Sequence, residues 1–232
     1  MIGTEKRYIA YFTAAVVALR IYQYLTFDLT FGNAAAMTTE GLYSCLNPPG
    51  FFCIIFPIVF GWVIFQRSKM IFSDIVVVRY RKRTDYLWLL MQTALIQAFL
   101  FFGIANAASF GLSLLLGCPI TVSVLSFYSL VQIVATVFFA FIALLYFLIV
   151  IVTKNNAAAF IGIALYCIYD FMTFFLPYDL FHIGWRRVVG IGTATPVFSS
   201  IGFFSGCFAL LSVLVLIGIS KIDFLNRSTE NE

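Results

Sequence analysis

The chain has 232 residues, of which 62% are hydrophobic and only 10% are charged. Soluble domains carry charge on about a quarter of their residues, so this composition excludes an ordinary soluble domain and indicates an integral membrane protein. The net charge at pH 7 is +4. Because the basic residues lie in short segments between apolar runs, we expect a lipid bilayer and no nucleic acid among the partners.

Six apolar runs follow one another, each long enough or nearly so to cross about 30 Å of hydrocarbon as a helix. The sequence therefore predicts an all-α polytopic membrane fold, with residues 1–232 forming a single transmembrane domain. Pro48 and Pro49 suit the first turn of the second helix, and Pro57 predicts a kink inside it. The third and fourth runs exceed one bilayer thickness and are expected to tilt or project. The predicted spans are about 8–27, 50–66, 86–113, 123–152, 156–177 and 197–219.

Lysine and arginine set the expected orientation, because short basic loops stay in the cytoplasm. With the N-terminus inside, all 14 basic residues except Arg20, Arg186 and Arg187 lie on the cytoplasmic side. Both termini are therefore predicted to be cytoplasmic, in a multi-pass protein of the cell membrane. Arg20 interrupts the first run with a charge, so we interpret this run as an uncleaved helix rather than a signal peptide.

The densest charge of the chain lies between the second and third runs, where "VVVRYRKRTDYLWLL" occupies residues 76–90. In the segment 67–85, apolar residues are bracketed by basic ones, a pattern typical of a helix that lies in the membrane interface. The charges alone have a simpler explanation, since they would also hold a loop in the cytoplasm and contact anionic lipid. The pattern by itself supports the two interpretations equally.

This arrangement resembles the ABC-2 type permeases, the membrane subunits of one class of ABC exporters. The resemblance rests on the short second run, "FSDIVVVRY" with "RKR", the aromatic return "DYLWLL", the turn "VTKNN" and the stretch "LPYDLFHIGWRRVVGIGTATPVF" before the last run. It implies six helices with both ends cytoplasmic and, between helices 2 and 3, an interfacial coupling helix that presses on a separate ATPase. The turn at 152–156 then supplies a second, smaller cytoplasmic contact. The implied ATPase-facing residues are Met70, Ile71, Phe72, Asp74, Arg79, Tyr80, Arg81 and Arg83.

The resemblance also implies the partners of the chain. No G-x-x-x-x-G-K-[ST] motif occurs in the sequence, so ATP and Mg²⁺ are expected on the separate ATPase subunit and no cofactor on this chain. A second permease chain, identical or related, would complete the path. The expected cargo is hydrophobic or amphipathic, such as an antimicrobial or toxin peptide or a lipid-like molecule. In this interpretation the chain is not catalytic by itself.

Two charged residues fall inside predicted spans, Arg20 in the first and Asp170 in the fifth. Both helices run outward and place these residues at similar depths, about 18 and 21 Å along the helix. A salt bridge between them is one prediction, because an unpaired charge at that depth is costly. Equally supported alternatives are an Arg20 that reaches the outer headgroups and an Asp170 that is protonated. Gln97, Asn106 and Gln132 add neutral polar groups, which either join helices or line a cavity.

Aromatic residues make up 19% of the chain. Tyr86 and Trp88 are expected in the interfacial belt. The surplus, including "FFAFIALLYF" at 138–147, either lines a bulky apolar cavity or, as we favour for most of it, faces lipid. The five cysteines lack metal-ligand spacing. Cys45 and Cys118 could pair near the outer face, although free or packed thiols are the favoured interpretation.

The external segment before the last run contains Trp185, Arg186 and Arg187, which either gate the exit and attract an anionic group or belong to a solvated turn. Two other functions stay open. A proton-coupled secondary transporter would use the carboxyl group in the fifth span. A membrane-embedded lipid-modifying enzyme would use Asp179 and His182 together with the two arginines near a headgroup.

Overall fold

A computed structural model of the chain describes residues 13, 14, 16–18, 20–22, 25, 39–48, 50–72, 82–117, 119–173, 188 and 197–220. These residues form helices and short turns, and they contain no strand. Five of the helices are long and apolar enough to cross a membrane, so the all-α, multi-pass prediction is confirmed. The named helices are α1 (Thr39–Leu46), α2 (Phe56–Ile71), α3 (Arg83–Leu115), α4 (Val122–Thr153), α5 (Asn156–Thr173) and α6 (Val197–Ser220), with a π-helical segment Phe51–Ile55 before α2.

The second to sixth apolar runs become α2 to α6, and their ends lie close to the predicted ones. When the π-helical segment is counted with α2, the largest shift is at the end of the second run, where the helix continues to Ile71 instead of ending near residue 66. The described residues of the first run, between 13 and 25, are helical, and the count of six spans stays a prediction. The helix α1, between the first and second runs, was not predicted from the sequence.

Helix α4 is the central helix of the bundle and packs against α2, α3, α5 and α6. It has no charged residue in its 32 residues, and it is the most buried of the five helices that could cross a membrane, as expected for a strongly apolar central helix. Thr121 begins it, because its hydroxyl accepts a hydrogen bond from the backbone N–H of Val124 at 3.3 Å. Lys154 ends it in a left-handed conformation, with a φ of 54°.

Phenylalanine rings fill the centre of the bundle. Phe138 and Phe139 of α4 contact Phe52 before α2, Phe102 of α3 and Phe204 of α6, with ring centroids 5.2 to 6.0 Å apart. All five rings are fully buried. The expectation that most of these aromatics face lipid is therefore wrong for the "FFAFIALLYF" stretch, because its rings pack against other rings inside the protein.

At the start of the second run, Pro48 lies just before the first helical turn, whereas Pro49 is outside the described residues. The backbone N–H groups of Phe51 and Phe52 both donate to the Pro48 carbonyl, at 3.0 and 3.1 Å. The π-helical turn ends at Ile55, two residues before Pro57. Since proline cannot donate to the carbonyl four residues earlier, this wider turn is the irregularity that accompanies the proline predicted to kink the helix.

Helices α3 and α4 have 33 and 32 residues, about 50 Å each at 1.5 Å per residue, and so exceed the hydrocarbon core. The first residues of α3, Arg83 to Asp85, are exposed, as expected for a helix that begins outside the apolar layer. Trp88 is exposed and fits the interfacial belt, but Tyr86 is fully buried. The placement of Tyr86 in that belt is therefore wrong.

Candidate functional site

The alternating directions of α2 to α6 give the bundle two chemically different ends. One end is formed by the last residues of α2, α4 and α6 and the first residues of α3 and α5, and we call it the basic end. Apart from Arg20, every lysine and arginine that the structure describes lies there: Arg67, Lys69, Lys82, Arg83 and Lys154. The other end, with the turn between α3 and α4, is called the opposite end.

Asn156 joins three helices at the basic end. Its side-chain oxygen accepts hydrogen bonds from the Ser68 hydroxyl of α2 at 2.8 Å and from the Tyr146 hydroxyl of α4 at 3.1 Å. Ser68 and Tyr146 are fully buried. We call this set of three residues the Asn156 junction, and it fixes the end of α2 against the turn between α4 and α5.

The turn itself is locally determined. Asn155 accepts hydrogen bonds from the backbone N–H groups of Ala157 at 2.8 Å and Ala158 at 3.3 Å, so it caps the first turn of α5. The left-handed Lys154 reverses the chain between the two helices. A connection of only two residues therefore holds Asn156 in a defined position next to Ser68.

A second contact at the basic end joins α2 to α3 and α4. The Tyr86 hydroxyl of α3 donates to the Ile71 carbonyl at 3.1 Å. The Phe72 ring packs edge-on against Tyr86 and against Phe147 of α4, with centroids 6.3 and 5.9 Å apart. Phe72, at the end of α2, and Tyr86, in the first turn of α3, are thus fixed to each other.

The structure changes the first part of the predicted coupling surface. Residues 67–71 belong to α2, and Ile71 is buried in the bundle, so it cannot face a partner protein. Phe72 is also used inside the chain, whereas Met70 is half-buried and Arg83 is exposed. The predicted coupling residues Asp74, Arg79, Tyr80 and Arg81 lie outside the described residues, as do Trp185, Arg186 and Arg187 of the predicted external gate.

Arg20 lies at the opposite end, where it binds the end of α1. Its Nη1 donates to the Leu46 carbonyl, and its Nη2 donates to the Asn47 side-chain oxygen at 2.7 Å. The Asn47 side chain in turn donates to the Tyr43 carbonyl at 3.0 Å. Arg20 as a whole residue is 4% exposed. A cation next to the last carbonyls of a helix is stabilised by the negative end of the helix dipole.

These contacts bear on the predicted pair of Arg20 and Asp170. The described acceptors of Arg20 are on Leu46 and Asn47, and its described electrostatic neighbours are Tyr43 and Tyr128. Asp170 is not among these described groups. Arg20 is enclosed by protein, so the alternative in which it reaches the lipid headgroups is wrong.

Asp170 is buried on α5, one helical turn after Tyr166 and three residues after Cys167. The Tyr166 hydroxyl is buried and has no hydrogen-bond partner among the described residues. Cys45 and Cys167 are free thiols, so Cys45 does not pair with Cys118. Within the described ranges, no three histidine, cysteine or acidic side chains lie close enough to hold a metal ion.

A line of polar contacts joins α3 to α4. The Asn106 amide donates to the Tyr128 carbonyl at 3.0 Å and to the Gln132 side-chain oxygen at 3.2 Å. The Gln132 amide donates back to the Phe99 carbonyl at 3.2 Å. Asn106 and Gln132 therefore join helices, as one of the two interpretations predicted, while Gln97 is half-buried on the same helix.

The same line of contacts continues toward the opposite end through hydroxyl groups. The Tyr128 and Ser113 hydroxyls lie 2.5 Å apart, and Tyr128 also reaches the Ser109 carbonyl at 3.3 Å. The Tyr128 ring packs edge-on against Tyr43 of α1, with centroids 5.4 Å apart. The polar line between α3 and α4 thus ends at the helix that Arg20 caps.

The sequence reasoning missed Asn47, Ser68, Tyr128 and Asn156. Only Asn156 carried a signal, because it follows a lysine and an asparagine in the short break between the fourth and fifth apolar runs, where a turn and a helix cap are expected. Comparison of the chain with protein-family models, curated proteins and solved structures finds no match. Function is therefore argued from the fold and from these contacts.

Proposed function

We propose that the chain is the permease subunit of an ATP-driven exporter, working with a separate ATPase that binds ATP and Mg²⁺. A second permease chain, identical or related, would complete the path for a hydrophobic or amphipathic cargo, such as an antimicrobial or toxin peptide or a lipid-like molecule. In this proposal the basic end faces the cytoplasm, because it carries the described lysines and arginines other than Arg20. Both termini are then cytoplasmic and the host membrane is the cell membrane.

The Asn156 junction carries the proposal. The two segments expected to contact the ATPase are 67–85 and 152–156. The Ser68–Asn156 hydrogen bond joins one to the other across three helices, and Tyr86 ties the start of α3 to the end of α2. A push on either segment would therefore move α2, α3, α4 and α5 together at their basic ends. That is the mechanical property a permease needs to transmit ATPase closure into the membrane.

The predicted docking residues supply the test. The tagged chain is produced in its native host and purified with its partners. The purified material is assayed for ATP hydrolysis, and its proteins are searched for the G-x-x-x-x-G-K-[ST] motif. Reversing Arg79 and Arg81 to glutamate is expected to detach the partner, because rim charges set docking orientation and rate. Reversing Lys6 and Arg7 is the matched control, since it makes the same charge change outside the docking segment. Equal recovery of the ATPase with both double variants would contradict the proposal.

A proton-coupled carrier is the second candidate, and Asp170 is the observation that favours it. Its carboxyl group is buried in a spanning helix next to Tyr166, and intramembrane carboxyl groups commonly carry protons in transporters. In vesicles without ATP, a carrier would move cargo when a proton gradient is imposed, and Asp170→Asn would abolish that movement. An exporter driven by ATP would not respond to the gradient. The residues of the lipid-modifying alternative, including Asp179 and His182, lie outside the described residues.

A further inference from the structure

The short helix α1 is inserted into the opposite end of the bundle. It has eight residues, fewer than a helix needs to be stable by itself. Leu42, Tyr43 and Leu46 of α1 and the following Asn47 are at most 1% exposed, and α1 packs against α3 and α4. The position of α1 is therefore determined by what it contacts in the bundle, and not by its own stability.

Arg20 makes polar contacts with α1 that would all be lost together if α1 moved. Its guanidinium donates to the Leu46 carbonyl and to the Asn47 amide oxygen, so both acceptors belong to the same short segment. These two hydrogen bonds attach the first span directly to the end of α1. A hydrogen bond to a charged group contributes more than one between neutral groups, so Arg20 is suited to hold α1 in one position.

Tyr43 opposes the position that Arg20 holds. Its ring packs edge-on between Phe127 and Tyr128, with centroids 5.5 and 5.4 Å away. Its hydroxyl is fully buried and has no hydrogen-bond partner within the described part of the chain. An unsatisfied buried hydroxyl penalises the structure that contains it, and the penalty disappears when water reaches the group. The inserted position of α1 thus has both a specific attachment and a specific penalty.

We propose that α1 is a gate that opens and closes over the ends of α3 and α4, with Arg20 as its latch. The proposal rests on the proposed function only in assuming that cargo leaves the bundle at this end. The movement of α1 is a property of the chain itself and is measured without cargo, ATP or a partner. The latch breaks at Arg20 and Asn47, and the opened α1 exposes Tyr43 and the cysteine beside it to water.

Cys45 is a native reporter of this movement. It is a free thiol on α1 and is partly buried. Burial raises the pKa of the Cys45 thiol above its usual value, so the inserted position contains little thiolate, and it is the thiolate that reacts with maleimides. Opening of the gate both uncovers the thiol and removes the cause of the raised pKa. The rate of Cys45 modification therefore follows the fraction of molecules in which the gate is open.

The experiment measures that rate in the full chain, reconstituted in lipid nanodiscs and treated with a water-soluble maleimide. Cys118 and Cys207 are replaced by serine, and mass spectrometry reads modification separately at Cys45 and at the buried Cys53 and Cys167. Asn47→Ala and Arg20→Gln are expected to accelerate Cys45 modification about tenfold, because each weakens a hydrogen bond to a charged group. Tyr43→Phe is expected to slow it about fivefold, because it removes the unsatisfied hydroxyl.

Ser44→Ala is the matched control, since it changes a polar side chain on the same helix outside the latch, and its rate is expected to stay within about twofold of the parent. Rates for Asn47→Ala and Tyr43→Phe equal to that control would overturn the proposal. Equal acceleration at Cys45, Cys53 and Cys167 would overturn it too, because it reports a general loosening. If Arg20→Gln fails to fold, the opposite effects of Asn47→Ala and Tyr43→Phe still decide. If the Cys45 rates change as expected but the chain recruits no ATPase, the gate proposal is supported and the proposed exporter function is contradicted.

Discussion

The Ser68 hydroxyl and the Asn156 side-chain oxygen, 88 residues apart in the chain, form a hydrogen bond of 2.8 Å at the basic end of the bundle. The bond joins the last turn of α2 to the first residue of α5, and Tyr146 of α4 shares the same acceptor. Because three helices meet at one amide oxygen, substitution of Asn156 removes contacts among all three helices. Substitution of Ser68 or Tyr146 removes only the contact of that residue with Asn156.

Asn156→Ala is expected to lower the free energy of unfolding by about 1–2 kcal/mol, because two buried hydroxyls lose the side-chain acceptor that joins α2 and α4 to α5 and keep only the Phe65 and Asn156 backbone carbonyls. Ser68→Ala removes one donor and should cost about half as much. Thermal unfolding in detergent micelles measures both changes. Ser129→Ala is the control, since its hydroxyl bonds only within α4, to the Leu125 carbonyl. An Asn156→Ala midpoint equal to that of Ser129→Ala would show that the junction does not stabilise the bundle.

Gly103 makes room for the Gln132 side chain between α3 and α4. A Cβ at Gly103 would lie 3.7 Å from the Gln132 amide nitrogen, which is ordinary van der Waals contact. Gly103→Ala is therefore expected to be neutral or to stabilise α3 by up to about 1 kcal/mol through its higher helix propensity. Gly103→Leu would displace the amide from the Phe99 carbonyl and cost about 1–2 kcal/mol. Equal unfolding midpoints for the alanine and leucine variants would contradict this account.

At two other glycines an added Cβ would lie closer to a neighbouring side chain than at Gly103. The two sites differ in how easily that side chain can move. A Cβ at Gly162 would lie 2.6 Å from the terminal Cδ1 of Ile149, and a Cβ at Gly218 would lie 2.9 Å from the Cγ2 of Ile151. The Cδ1 methyl moves by rotation about χ2, but Cγ2 is attached to the branched Cβ, whose rotamer is fixed in a helix.

Gly218→Ala is therefore expected to destabilise the contact between α4 and α6 by about 1–3 kcal/mol. Gly162→Ala should change the free energy of unfolding by less than about 1 kcal/mol. The cost of displacing the Ile149 Cδ1 methyl group is offset by the higher helix propensity of alanine. Denaturation of the two variants in the same detergent compares them directly. A larger loss of unfolding free energy for Gly162→Ala than for Gly218→Ala would contradict this account. It would show that the side chains around Gly162 cannot move to admit a methyl group.

The helix boundaries could be predicted because a physical length fixes them. An apolar run that crosses a bilayer must be a helix of about 20 residues or more, and α3 was expected at 86–113 and observed at Arg83–Leu115. The failures at Tyr86 and Ile71 have a common cause. Both residues are amphipathic or apolar near a membrane surface, where the sequence pattern is the same for a side chain facing lipid and one facing protein.

The polar contacts could not be predicted for a different reason. Arg20 donates to a backbone carbonyl, that of Leu46, and every residue has such a group, so no residue type marks the acceptor. Ser68 and Asn156 are common polar residues whose pairing depends on how α2 packs against α5. A carboxylate partner for Arg20 is visible in the sequence as a charged residue, whereas a helix end that accepts a guanidinium is not marked by any residue type.

The choice between these two partners of Arg20 can be measured with double-mutant cycles. Arg20→Ala and Asn47→Ala share a described contact of 2.7 Å, so their effects on the unfolding free energy should be less than additive, with a coupling of about 0.5–2 kcal/mol. Arg20→Ala and Asp170→Ala change groups whose described contacts are on different helices, so their effects should add to within about 0.5 kcal/mol. The same detergent and the same unfolding probe serve both cycles.

The two cycles control for each other, because both contain Arg20→Ala and differ only in the second site. Coupling of Arg20 with Asp170 and none with Asn47 would support the salt bridge predicted from the similar depths of the two residues. It would contradict the proposal that Arg20 is the latch of α1. Coupling with Asn47 alone would mean that a helix C-terminus, with its carbonyls and dipole, is sufficient to hold a buried guanidinium in this bundle. The position of Arg20 in the first span would then be explained by its contacts with the end of α1.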